Sequence, residues 1–70
     1  MDFKIKQGEE YIKLGQLLKA TGLVSSGIEA KIVIQNGEVK VNGEVDLRRG
    51  KKVVAGDTVE YSGKQIIVKQ

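Results

Sequence analysis

The chain has 70 residues and not one cysteine or histidine among them, and this constrains its fold more than any other feature. A domain this short buries only about 60% of the surface its unfolded chain exposes. Domains of this size often rely on disulfides or a structural metal. Both are closed here: no disulfide, no Cys/His zinc site, and no cysteine or histidine catalysis. Packing alone has to hold the fold, and with 40% apolar residues one compact core is within reach.

The pattern of apolar residues supplies the elements. Phe3 and Ile5 alternate with Lys4 and Lys6, which predicts a short strand. Leu14, Leu17 and Leu18 stand at i, i+3, i+4 and predict a first helix over Lys13–Thr21, closed at Gly22 with Leu23 folding back on its last turn. Ser26 and Glu29 have capping-box spacing. They predict a second helix from Gly27 to Asn36, ended by Gly37. Ile28 and Ile32 share one side of it, Ala30, Val33 and Ile34 cover much of the rest, and Gly27, Lys31 and Gln35 form a narrow non-apolar stripe. The expectation is a helix wedged into the core, with that stripe and Glu29 exposed. Glu38–Leu47 reads as a hairpin around Asn42-Gly43. A three-residue loop that pairs Val41 with Val45 and Val39 with Leu47 keeps apolar residues on one face. Strands then resume at Val53-Val54, over Thr58–Tyr61 and over Gln65–Lys69, with turns at Ala55-Gly56-Asp57 and Ser62-Gly63. The expected class is α+β, two short helices packed on a small antiparallel sheet in one domain, 1–70.

Charge narrows the function. The net charge is +3. Residues 1–30 and 53–70 are each balanced, so the whole excess lies in 31–52: Lys31, Lys40, Arg48, Arg49, Lys51 and Lys52 against Glu38, Glu44 and Asp46. A localised excess points to one surface for an anionic partner, set against a solubilising surface as the plainer reading. Arg48-Arg49-Gly50-Lys51-Lys52 is a loop suited to gripping phosphates, or a solvated connection that protects a sheet edge. Lys13 stands where a helix macrodipole disfavours a cation, which hints at use. Lys31 lies on the polar stripe, and Lys40 projects from the hairpin face opposite Val39 and Val41. Gly27 either admits a phosphate to the helix start or eases packing. Tyr11 and Tyr61 are too few for a single-strand stacking platform, so backbone and shape readout of folded RNA fits better.

Catalysis finds no support. The acids are scattered, and no Walker or Gly-x-Gly-x-x-Gly pattern occurs. No cofactor and no metal are expected. There is no apolar run near 18 residues and no signal-peptide pattern at Met1–Gln7, so a cytoplasmic, monomeric protein without a membrane partner is expected.

Three stretches together resemble a known family. Lys13-Leu14-x-x-Leu17-Leu18, then Ala30-Lys31-x-x-Ile34-x-x-Gly37-x-Val39-x-Val41-Asn42-Gly43, then Val54-x-Gly56-Asp57-x-Val59 look like the S4 RNA-binding domain with its αL motif. Leu18-Lys19-Ala20-Thr21-Gly22-Leu23-Val24-Ser25-Ser26-Gly27 resembles the short stand-alone bacterial members, the YaaA/YbcJ-like group. The resemblance implies binding of structured RNA, ribosomal or transfer RNA, and contact with ribosomal particles. By position it implies basic contacts at Lys13 and Lys31. Gly27 stands where the wider family usually has arginine, so one phosphate contact on the stripe with Lys31 is lost, and Gly15 stands where the family usually has aspartate. A protein-interaction adaptor and a non-specific nucleic-acid binder are the alternatives.

Overall fold

A computed structural model describes residues 1–70. Its elements run β1 (Asp2–Lys4), β2 (Ile12–Lys13), α1 (Leu14–Ala20), α2 (Gly27–Gln35), β3 (Val39–Val41), β4 (Glu44–Val45), β5 (Lys52–Val53), β6 (Thr58–Tyr61) and β7 (Lys64–Lys69). The α+β class with two helices on a small sheet stands. The expectation of a wholly antiparallel sheet needs correction. The five-stranded sheet has the order β1-β7-β6-β3-β4, and β1 runs parallel to β7. The two helices between them return the chain to the far edge, and that crossover permits a parallel pair. β2 and β5 form a separate antiparallel ribbon.

One core of 14 apolar residues joins the layers. Leu14, Leu17 and Leu18 of α1 and Ile34 of α2 meet Val39, Val59, Ile66 and Val68 from the sheet, and all are almost wholly buried. The α2 cap forms as its spacing predicts: the Glu29 N–H donates to Ser26 Oγ at 3.1 Å. The Glu29 carboxylate, however, accepts from the N–H and hydroxyl of Ser25, at 2.6 and 2.9 Å, rather than from Ser26.

The wedged-helix expectation fails for one side of α2. Ala30, Val33 and Ile34 are buried, but Ile28 is 73% and Ile32 53% exposed. Only one layer, formed by α1 and the sheet, is available to cover this helix. A single layer buries one stripe and leaves the opposite apolar side in water.

The hairpin register also differs. Val41 pairs with Glu44 and Lys40 with Val45, so the loop is the two-residue Asn42-Gly43. Both residues have positive φ, 53° and 85°. That is the type I′ geometry whose twist suits two flanking strands. Both β4 residues are exposed, so no buried face selects the register. A tertiary contact secures it instead. Asn42 Nδ2 donates to Asp57 Oδ1 at 3.0 Å, and the Thr58 N–H donates to Asn42 Oδ1 at 2.9 Å. Asp57 Oδ2 also accepts the Val54 N–H. The Val-Asn-Gly and Gly-Asp pieces of the sequence pattern are thus two halves of one clamp between turns. Asn42→Gly keeps the turn and removes its side-chain bonds. It is expected to lower stability by roughly 1 kcal/mol, read as a lower urea midpoint, and to leave ligand affinity unchanged.

Candidate nucleic-acid interface

The site is built where α1 begins. Lys13 ends β2 and occupies the N-cap position, and its side chain makes no capping bond. A helix start leaves several N–H donors without intrahelical partners. Here the basic loop satisfies two of them: the Leu14 N–H donates to the Lys51 carbonyl at 2.9 Å and the Gly15 N–H to the Arg49 carbonyl at 3.0 Å. The loop is therefore fastened to the helix by its backbone, and its side chains are left available. Gly15 is needed at this crossing, because a Cβ there would lie 2.6 Å from Arg49 Cγ.

The result is an open groove of about 360 Å³ lined by Lys13, Gly15, Gln16, Lys19, Gly27, Arg49 and Gly50. It holds three cations and neither a carboxylate nor an apolar side chain. None of the three is held in a salt bridge. Lys13 also faces Lys52 directly across the β2–β5 ribbon. Like charges at such a pair repel, a local cost that an anionic partner would relieve.

The expected site residues fall into three groups. Lys13 and Arg49 line the groove. Lys31, Lys51 and Lys52 lie outside its lining. Lys31 is exposed on α2, one turn after Gly27. Lys51 is half-buried, and the Lys52 ammonium stands 5.0 Å from the Tyr11 ring centroid. Arg48 and Lys40 also lie away from the groove, and of the two only Arg48 is ion-paired. The Arg48 guanidinium grips Asp46 through Nε at 3.0 Å and Nη2 at 2.8 Å, and Lys40 sits opposite Glu60 on β6. Lys19 and Gln16 were missed by the sequence reading. The available signal was spacing, since Lys19 is one helical turn after Gly15.

Two carboxyls titrate below the usual range. The Arg48 side chain bonded to Asp46 holds that carboxyl low, against partial burial. The Ser25 N–H, and then its hydroxyl, do the same for Glu29. Lowered carboxyls contribute stability that is complete above their unfolded pKa of about 4 and is lost as pH falls through their folded values. No histidine is present to titrate between about pH 5 and 8. The melting temperature is therefore expected to be flat over that window and to drop below about pH 4. Melts of Asp46→Asn should show a shallower acid decline.

The S4 domain pattern matches residues 3–69. The chain belongs to the S4 domain family. YbcJ of Escherichia coli (strain K12) is 45% identical over 58 residues, 83% of each chain. RlbA of Bacillus subtilis (strain 168), named a probable ribosome maturation protein, is 48% identical over 54 residues, 77% of this chain and 76% of RlbA. The solution structure of E. coli YbcJ superposes with a TM-score of 0.75 at 39% identity, over 99% of this chain and 86% of that one, and is described as revealing an αL motif involved in RNA binding. In this S4 domain the αL helices are α1 and α2, and the groove runs from their N-terminal ends along α1 to Lys19 in its last turn.

Proposed function

We propose that the groove at Lys13, Lys19 and Arg49 binds folded RNA by its phosphate backbone, making this S4 domain a binding module rather than an enzyme. The observation that carries this is three unpaired cations in one groove free of carboxylates. Arginine engages two phosphate oxygens and lysine acts as a point charge. Lys31, Lys51 and Lys52 extend the field beyond the groove and add longer-range attraction. Arg48, bonded to Asp46, and Lys40, on the sheet opposite Glu60 and away from the groove, contribute least. The RNA-binding description of YbcJ and the ribosome-maturation name of RlbA support RNA, ribosomal RNA first, as the partner; on this reading the protein acts as a cytoplasmic monomer, and transfer RNA is the other structured RNA to test. No helix is long and apolar enough to cross a membrane.

The test is a titration of a structured RNA and a matched DNA duplex at several salt concentrations. Tighter RNA binding with a steep salt slope is expected. Equal affinity for both would make the protein a general nucleic-acid binder. The exposed Ile28 and Ile32 favour a second reading, an adaptor docking a protein through α2. Failure to bind either nucleic acid, with a protein partner retained after nuclease treatment, would establish that reading instead.

Gly27 offers a gain of function. A Cβ there meets nothing within 4 Å, so a longer side chain has room. Gly27→Arg is expected to steepen the salt slope by about 1 and tighten RNA binding several-fold. Unchanged slope would place the phosphates elsewhere.

A further inference from the structure

The basic groove continues beyond Lys19. Gln16 and Lys19 also border a second open cleft, of about 500 Å³, which adjoins the groove along α1. That volume is within the roughly 300–1,000 Å³ of small-ligand sites. Its floor differs from the groove's. Phe3 of β1, Ile5, Ile12 of β2 and Ala20 at the end of α1 supply its apolar lining, and Lys4, Lys6 and Lys19 border it against one carboxylate, Glu9. Lys4 and Lys6 come from the exposed side of the edge strand β1 and its continuation. Phe3 is the only phenylalanine in the chain. It packs on the core yet stays half-exposed, so part of its surface is available. The three lysines have no salt-bridge partner.

A chain of phosphates leaving the groove at Lys19 therefore meets an aromatic and aliphatic floor with cations around it. This is the pairing of chemistries that holds an unstacked nucleotide: apolar contact for the base, cations for the phosphates. We propose that the cleft receives one unpaired nucleotide of the bound RNA, its base against Phe3 and its flanking phosphates on Lys4, Lys6 and Lys19. This rests on the reading of the groove as an RNA site. Charge complementarity and the residues shared with the groove select RNA over a peptide as occupant. A base inside a duplex has to be unstacked and unpaired to reach the floor, and that costs least where it is already unpaired. The protein thus prefers a stem interrupted by a bulge to an uninterrupted one.

The test uses the full chain and two RNA hairpins of the same stem. One carries a single bulged nucleotide, a fluorescent adenine analogue, and the other is fully paired. The intact protein is expected to bind the bulged hairpin roughly tenfold tighter, within the range of base–aromatic stacking, and to quench the analogue. Phe3→Leu keeps apolar volume and removes the aromatic face. With its fold checked by circular dichroism, it should lose the preference and the quenching while binding the paired hairpin as before. Lys4→Ala with Lys6→Ala, both at exposed positions, provides a second variant that spares the core and should weaken the bulged complex selectively. Equal binding of both hairpins with no quenching overturns the cleft and leaves the groove standing. A preference that survives both variants also overturns it. Binding to neither hairpin overturns the groove reading, and this one with it.

Discussion

Changing Lys13, Lys19 and Arg49 together to alanine is expected to weaken binding of a structured RNA about a hundredfold near 0.15 M salt. Each neutralised phosphate contributes close to one unit to the slope of log affinity against log salt in B-DNA, and somewhat less in single strands. Three lost contacts should flatten the slope by about 2–3. The fold should survive. All three side chains are exposed, and the Arg49 contact that fastens the loop to α1 is made by its carbonyl, which alanine retains. Lys40→Ala with Arg48→Ala and Lys64→Ala is the matched control: it removes three cations, all exposed and all outside the groove. If this control lowers the slope as much as the groove variant, binding follows net charge and the groove has no special role.

Gly15→Ala should destabilise the protein by about 2 kcal/mol, opposite in sign to the usual rule. Alanine inside a helix is normally better than glycine by roughly 0.5–1 kcal/mol. Here the new Cβ would stand 2.6 Å from Arg49 Cγ and 3.5 Å from the Arg49 carbonyl oxygen. The Arg49 carbonyl accepts the Gly15 N–H at 3.0 Å, which holds its backbone close to α1, so the overlap has to be relieved by turning the exposed Arg49 side chain out of its place or by moving the loop. Overpacking of this kind costs about 1–3 kcal/mol. A domain of this size should lose roughly 8–16 °C in melting temperature. RNA affinity should fall as well, since Arg49 is displaced from the groove. A raised melting temperature with unchanged affinity would mean that the loop yields without cost.

Several features were legible because they are local. Leu14, Leu17 and Leu18 make an apolar stripe in any helix, Ser26 and Glu29 make a cap, and Asn42-Gly43 makes a tight turn. The order of these signals along the chain sufficed for the α+β class and for the resemblance to S4 domains. Lys13 was legible from its place at the helix start, whereas the balanced charge of residues 1–30 hid Lys19, because a count along the chain does not show that the groove takes up Lys19 and leaves out Glu9 and Glu10.

What the sequence determined by itself is therefore the set of elements and the placement of charge along them: a fold without disulfide, two helices, the second with a capping box, and a cationic loop at 48–52. What only the tertiary structure decided is how those pieces meet. It set the hairpin register, because an exposed β4 places no demand on facing and the Asn42–Asp57 clamp joins residues 15 apart. It left Ile28 and Ile32 in water, because one layer covers one side of α2. It also made a groove from Lys13, Lys19 and Arg49, because the open N–H groups of α1 take their acceptors from a loop more than thirty residues further along the chain. Periodicity reports which side of an element is apolar. Which neighbour covers that side, and which charges gather beside it, depends on contacts distant in sequence.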